Sequence, residues 1–299
     1  MGGKILHFPG GNERKPGPST QNPSIGYPDW ARPLLGVIGE YNREQTHQMA
    51  RLAQAEKAIF EIYSSLAPDQ RALFFSMVYN RFSEYYDRFM GIETRHYRAI
   101  KRVMQFAMPY LREPMLDITA GTGEPLKYAM GFMERGNDLG PEFDMIKPPE
   151  DSEGGGFLAN EISPKMREIA QKKLADGEAD FSDFDAFSLP DELRGRFRTV
   201  LCSQTFHLIS EEDKTRLSIS IRDALMSGGT AVVMEEDPFR ISQAGAIEVV
   251  SLFLRSVAVP IKPEMIVGRL EATGLHSLED TAASPIDEHH VMRLHLFQK

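Results

Sequence analysis

Apolar residues follow two textures along this chain, and the change comes near residue 113. Before it, Met49, Leu52, Ile59, Phe60 and Tyr63 recur at three- and four-residue spacings, as one apolar helix stripe requires. "LAPDQRALFFSMVYNRF" restarts a helix at Pro68, where a first-turn proline loses no hydrogen bond. A further stripe of Ile100, Val103, Met104 and Ala107 ends at Pro109. No glycine interrupts residues 41–90. After residue 113, short apolar runs alternate with helical stretches. "PMLDIT" precedes 125–135, "FLANE" precedes 164–175, and "ADFSDFDAF" follows. "RTVLCSQTF" then precedes 211–226, and "TAVVMEE" precedes 241–257. This alternation predicts parallel strands in a three-layer α/β domain. A helix at 263–272 and two terminal strands, "HSLEDTAASP" and "VMRLHLFQK", predict a closing antiparallel strand.

Three regions result. Residues 1–33 hold six of the 19 prolines and cannot bury enough apolar surface to offset their ordering entropy, so they read as a disordered tail. Trp30 is a candidate anchor for that tail. Residues 34–112 form a helical region that either caps a pocket or pairs two copies as a homodimer. Residues 113–299 form the α/β domain. Within it, residues 136–156 carry six acids and one lysine between a helix and a strand, where 2–6 residues are usual. That insertion reads as a solvated excursion, or as a lid or docking loop.

Composition narrows the class. The net charge is −9 and no long basic run occurs, which argues against an extended nucleic-acid surface. The one cysteine, Cys202, allows no intrachain disulfide; it fits a reducing, cytoplasmic setting and sits among apolar strand residues as a core position. No apolar run reaches the roughly 18 residues of a membrane-spanning helix, and the N-terminus lacks the apolar core of a secretory signal.

Ligands of open α/β sheets bind at the carboxyl ends of the strands. Those ends carry Asp117 with Thr119, Ala120, Gly121 and Gly123, then Glu161, a position near Asp185, and Ser203-Gln204-Thr205. A dinucleotide site calls for Gly-x-Gly-x-x-Gly. Here Thr119 and Glu124 replace two of the glycines, and an acid at the helix start disfavours phosphate. A ligand with an ammonium group and no phosphate suits acids around a glycine turn, and S-adenosylmethionine (SAM) is one.

"MLDITAGTGEPL", "LANEISPKMREIAQKKL", "DAFSLP" and "VLCSQTFHLIS" resemble, in order and spacing, the successive motifs of class I, seven-stranded SAM-dependent methyltransferases. The likeness covers roughly residues 81–299, and "YYDRF" is similar to a segment of the quinone-biosynthesis C-methyltransferases. The resemblance implies a Rossmann-like, mostly parallel sheet with a terminal antiparallel strand behind an N-terminal helical extension. It implies SAM as cofactor and methyl transfer to a small-molecule acceptor. Gly121 and Gly123 would let the backbone approach the ligand, and Asp117 would orient their turn or reach the amino group through water. Glu161 would accept the ribose hydroxyls with Ile162 beside it. Asp185 would meet the adenine amino group beside Ala186, with Asp183 as a substitute. Ser203 and Gln204 would line the methionyl side, and Tyr86 would touch the cofactor. Asp117 and Glu161 could instead cap helices. Two departures stand out: Thr119 replaces the first glycine, and Arg198 replaces an acid common at the start of strand four.

A base is needed only if the acceptor loses a proton. His207 is the candidate, and packing in the acceptor pocket is its other reading. Glu235, Glu236 and Asp237 face the acceptor or form a solvated strand end. "EHHVMRLH" supplies His289, His290 and His295, and no metal site is expected from them. "LFFSMVYNRFSEYYDRFM" places seven aromatics in 18 residues. From it Phe82, Tyr85, Tyr86 and Phe89 could roof a pocket for an apolar or aromatic acceptor. The competing readings are a non-catalytic regulatory or interaction protein of the same fold, and a nicotinamide oxidoreductase.

Overall fold

The computed structural model describes residues 49–88, 90–91, 95–135, 156–174, 179–237, 263–278, 282–286 and 291–299. The tail with Trp30, the insertion at 136–155, the helix expected at 241–257, Phe89, His289 and His290 lie outside them, as do the side chains of Met49, Leu52, Phe82, Tyr85 and Asp237.

The apolar stripes fold as two successive helices, α1 (Met49–Ser65) and α2 (Pro68–Arg88). Pro68 opens α2, and the Ala67 amide, which the new helix leaves over, donates to Gln70 Oε1 at 3.0 Å. Tyr63, Phe74 and Phe75 pack ring against ring with centroids 5.3–5.8 Å apart. Phe60, expected in the same stripe, is instead 52% exposed, because Ile59 and Tyr63 fill the side that meets α2 and the sheet. Helix α3 (His96–Ala107) buries Ile100, Val103, Met104 and Ala107, and Pro109 falls in the short 3₁₀ turn that follows.

The strands follow the expected runs: β1 (Met115–Asp117), β2 (Phe157–Asn160), β3 (Ala179–Ser182), β4 (Phe197–Ser203) and β5 (Leu225–Asp237). Between them come α4 (Glu124–Arg135), α5 (Pro164–Lys173) and α6 (Glu211–Ala224). Strand β3 stops at Ser182, three residues short of Asp185, which therefore sits in a loop. After α7 (Pro263–Glu271), strands β6 (His276–Ser277) and β7 (Ala282–Pro285) both pair antiparallel with β8 (Val291–Gln298), so they form one interrupted edge. The sheet order is β3-β2-β1-β4-β5-β8-β6. Leu116 lies between Leu158 and Val200 in parallel register, whereas β8 runs antiparallel to β5 with Val232 opposite Leu296. The expected mostly parallel sheet with a terminal antiparallel strand is therefore present.

Helices cover both faces. On one, Ile59, Phe74, Leu217, Ile221, Ile266 and Leu270 from α1, α2, α6 and α7 pack on Phe197, Val200 and Val233. On the other, Ile100, Val103, Leu126 and Met130 from α3 and α4 pack on Val232, Met234, Leu294 and Leu296. Helix α3 is thus one layer of the sheet domain, while α1 and α2 belong to the opposite layer. Cys202 is buried in the first of these clusters, and burial pushes its thiol well up, as the core reading requires. Among the described residues no helix is long and apolar enough to cross a membrane.

Candidate cofactor cleft

The chain runs outward from β1 through β2 to β3, then returns to place β4 on the other side of β1. The loops after β1 and β4 part at that reversal and leave a crevice at the carboxyl rim of the sheet. A cleft of about 710 Å³, its open mouth included, lies there.

The turn after β1 supplies one wall with Ile118, Thr119 and Gly121. Gly121 and Gly123 both take positive φ, 56° and 80°, a region costly for side-chain-bearing residues. Their second reasons differ. A Cβ on Gly121 would meet only Met166 Cε at 3.9 Å, so the turn is uncrowded where it lines the cleft. A Cβ on Gly123 would stand 3.1 Å from Ala170 Cβ and 3.2 Å from Leu174 Cδ1. Gly123 is thus required by close packing against α5, and it does not line the cleft. The ligand-facing place expected for it is therefore not where the structure puts it.

Glu161 follows β2 and holds the crevice together. Its Oε2 accepts from the Gly121 amide at 2.9 Å, and its Oε1 accepts from the Ser163 amide at 2.7 Å. Burial pushes its carboxyl up to about 7, against the pull of those two amides and of Arg167. Asp117 lies beneath the turn, fully buried and off the cleft lining. Neither of its oxygens makes a hydrogen bond of normal geometry, and burial raises it to about 7, with the nearby Thr119 amide offsetting part and Glu161 adding to it. The helix-capping alternative for these acids does not hold for α5, whose N-cap is the Ser163 hydroxyl, accepting from the Met166 amide. Asn160, unremarked in the sequence, ties three strand ends together. Its Nδ2 donates to the carbonyls of Ile118 and Phe184 at 3.0 and 3.1 Å, and its Oδ1 accepts from Ser182 Oγ at 3.1 Å. One polar residue closing the apolar run "FLAN" was the available signal.

Asp185 and Ala186 line the third side together with Phe184 and Phe187. Asp185 Oδ1 accepts from the Phe187 amide at 2.9 Å, which fixes the loop. Asp183, the alternative, is 70% exposed and pairs with Arg167 at 3.2 Å. After β4, Ser203, Gln204 and Thr205 line the fourth side. Gln204 takes φ 55°, its amide donating to Met234 O at 2.8 Å, and the Thr205 hydroxyl lies 2.8 Å from that of Thr119.

Helix α2 roofs the crevice with Ala72, Phe75, Tyr79 and Tyr86. Asn80 Oδ1 accepts from Ser163 Oγ at 2.8 Å and from the Lys165 amide at 3.0 Å, which docks the roof on the start of α5. Tyr79 and Tyr86 stand edge to face, centroids 5.9 Å apart. Burial, then neighbouring phenol and carboxylate groups, raise both phenols well above their usual value, so each presents an O–H. Glu161 and Asp185 are the ionisable carboxyls at the lining, and no Lys, Arg or His side chain lines it among the described residues.

Three further positions differ from expectation. Glu124 does not line the cleft; it pairs with Lys173 at 3.0 Å, so it is no bare acid facing a ligand. Glu235 and Glu236 are buried, not solvated. Glu235 binds His207 Nδ1 at 2.6 Å, and Glu236 binds His96 Nε2 at 3.0 Å. His207 is buried off the lining, as is Ala120. No group of three or more His, Cys, Asp or Glu side chains arranged to hold a metal occurs among the described residues.

No protein-family model matches the sequence, and no curated protein matches it. Solved structures do. A Burkholderia thailandensis 1,6-didemethyltoxoflavin-N1-methyltransferase, solved with 1,6-didemethyltoxoflavin and S-adenosylhomocysteine, is 16% identical over 78% of this chain and 91% of its own, with a TM-score of 0.50. Human N-acetylserotonin methyltransferase, solved with SAM, is 16% identical over 90% of this chain and 67% of its own, at 0.49. A SAM-dependent methyltransferase of Thermotoga maritima, described as a possible histamine N-methyltransferase, is 15% identical over 75% and 99%, at 0.49.

Proposed function

We propose that this chain, which has the class I SAM-dependent methyltransferase fold, binds SAM and transfers its methyl group to a hydrophobic or aromatic small molecule. The carrying observation is the cleft's chemistry: two carboxyls, two phenols and a glycine turn surround it, with no cationic side chain among its described lining residues. Such a surface favours a ligand bearing positive charge and hydroxyls, and it offers a pyrophosphate little. That is why SAM is preferred to a nicotinamide dinucleotide.

Glu161 would accept the ribose hydroxyls, for which a carboxylate has acceptor sites to spare beyond the two amides it already holds. Asp185 would meet the adenine amino group with Ala186 against the ring, and Ile162 would pack from the β2 side. Gly121, Thr119, Ser203 and Gln204 would surround the methionyl portion. Asp117 would act from beneath, as a buried charge on the glycine turn. When bound, SAM supplies a methyl group already activated by its sulfonium. The protein's task is then alignment of an acceptor and exclusion of water, to which Phe75, Phe184, Phe187, Leu208 and Ile209 contribute an apolar surround. The phenols of Tyr79 and Tyr86 would donate to an acceptor or cofactor oxygen. The aromatic roof and the lack of cations among the described lining residues support an apolar or aromatic acceptor over an anionic one. A cytoplasmic setting suits the single buried thiol of Cys202.

Calorimetric titration with SAM, S-adenosylhomocysteine and NADH tests the reading, followed by methyl transfer from isotopically labelled SAM into a metabolite extract. The expected outcome is binding of the two adenosyl ligands and label in a small molecule. Glu161→Ala is expected to weaken SAM binding by roughly 30- to 100-fold, the loss of charge-assisted hydrogen bonds. Binding of NADH alone, or SAM binding that ignores Glu161→Ala, would sink it.

A further inference from the structure

Strand β5 ends in three acids, of which Glu235 and Glu236 point to opposite faces, as pleating demands. Glu236 reaches His96 at the start of α3. Glu235 turns to the other face, where the loop after β4 passes. Its Oε1 accepts from two consecutive backbone amides, Thr205 and Phe206, each at 2.7 Å. Its Oε2 meets His207 Nδ1 at 2.6 Å. Three consecutive residues therefore converge on one carboxylate that is 1% exposed.

This is an unusual way to hold a loop. Backbone pairing stops at Gln204, whose amide still donates to Met234 O, because the strand has ended at Ser203 and Gln204 turns the chain at φ 55°. The amides of Thr205 and Phe206 are left over, and a buried unpaired amide is costly. The loop they belong to makes a wall of the cleft through Gln204, Thr205, Leu208 and Ile209, and Thr205 also touches Thr119 of the glycine turn.

We infer that Glu235 is a positioning residue: from outside the cleft, its carboxylate fixes the 204–208 loop in the shape that binds ligand and holds His207 as its Nδ1–H tautomer. A carboxylate only accepts hydrogen bonds, so the proton between Glu235 and His207 belongs to the ring nitrogen. The ligand part of this inference rests on the SAM-binding reading; the loop and tautomer part does not.

Two substitutions separate the roles. In Glu235→Gln the side-chain carbonyl still accepts the Thr205 and Phe206 amides, but its NH₂ group now faces His207 Nδ1 and forces the Nε2–H tautomer. In Glu235→Ala neither the amides nor the ring has its partner. The full chain is titrated with S-adenosylhomocysteine by calorimetry, and ¹⁵N spectra of the histidine ring and amide exchange at Thr205 and Phe206 are recorded for each variant. Expected are a roughly tenfold or larger loss of affinity in Glu235→Ala and recovery to within about threefold of the parent in Glu235→Gln. Protection of both amides should be lost in the first variant and kept in the second, and the ring should switch tautomer in the second. Should Glu235→Ala not fold, Glu235→Gln still decides, because an unmoved ring tautomer there would show that the carboxylate does not hold His207. Unchanged tautomer in Glu235→Gln, or parental affinity and amide protection in a folded Glu235→Ala, overturns the inference. If the parent chain ignores S-adenosylhomocysteine, the SAM-binding reading and the ligand part fall together, and the spectra and exchange still judge the loop.

Discussion

Asp117 and Glu161 are acids that burial moves to about 7, so pH acts on the site through them. Between unfolded values of about 4 and folded values near 7 the folded chain binds more protons than the unfolded one. The two groups therefore contribute stability at low pH and lose it as pH rises through that window, with no further slope above it. A positively charged ligand favours their ionised forms. Affinity for SAM is expected to rise between pH 6 and 8, with protons released on binding, and Asp117→Asn should flatten the rise. Calorimetry in two buffers of different ionisation enthalpy measures both effects; affinity independent of pH would contradict them. Gly123 gives a stability prediction at the same scale. Alanine there meets both the positive φ and the 3.1 Å approach to Ala170, and should cost about 2–3 kcal/mol in urea unfolding. Most individual positions were legible. Thr119, Gly121, Glu161, Ile162, Asp185, Ala186, Ser203, Gln204 and Tyr86 all line the cleft. Asp117, Ala120, Gly123 and His207 do not, because a motif marks which turn approaches a ligand and not which of its atoms face inward.

At the scale of elements, the joints between helices carry the structure that positions the cleft. Arg71 of α2 donates to Ser210 Oγ at 3.0 Å and to Asp213 Oδ2 at 3.1 Å, at the start of α6. Tyr63 of α1 accepts from the Ser210 amide at 3.0 Å, and burial pushes its phenol up to about 12. Asp213 is fully buried, so Arg71→Ala removes its main interhelical partner and leaves Arg216 as its remaining basic partner. A loss of about 2 kcal/mol is expected, read by denaturant unfolding. A second joint holds the glycine turn. Asp87 accepts from Tyr97 OH at 2.7 Å and from the Thr122 hydroxyl, and it meets Lys173 at 2.7 Å. Burial raises the Asp87 carboxyl, yet Lys173, Thr122 and Tyr97 outweigh it and hold the group below its usual value. Asp87→Asn should therefore weaken SAM binding several-fold without touching the ligand directly, a result that titration of the folded variant can check. The sequence marked α2 through its aromatic density. It could not mark these joints, whose members lie 10 to 147 residues apart.

For the whole molecule, a ligand that grips four strand ends and the roof at once should stabilise the folded chain as a unit. At a hundredfold excess over the dissociation constant, S-adenosylhomocysteine is expected to add about 2.7 kcal/mol, visible as a rise in melting temperature that NADH does not produce. The stretch from β1 to β8 alternates so regularly that its sheet, its layers and the rim that carries the cleft follow from period and punctuation alone. Apolar runs of strand length between amphipathic helices have few ways to bury both faces of a parallel sheet. The acids at the strand ends, read with the glycine turn, likewise suggested the charge proposed for the ligand. Tertiary structure alone decided what each acid does. Glu124 is neutralised by Lys173, and Glu235 and Glu236 are buried as clamps on opposite faces. Asp117 is a buried carboxyl beneath the turn and Glu161 a group on it. Local sequence sets which face of an element is apolar, but a carboxylate's role depends on which distant amide, ring or cation the fold brings within about 3 Å of it.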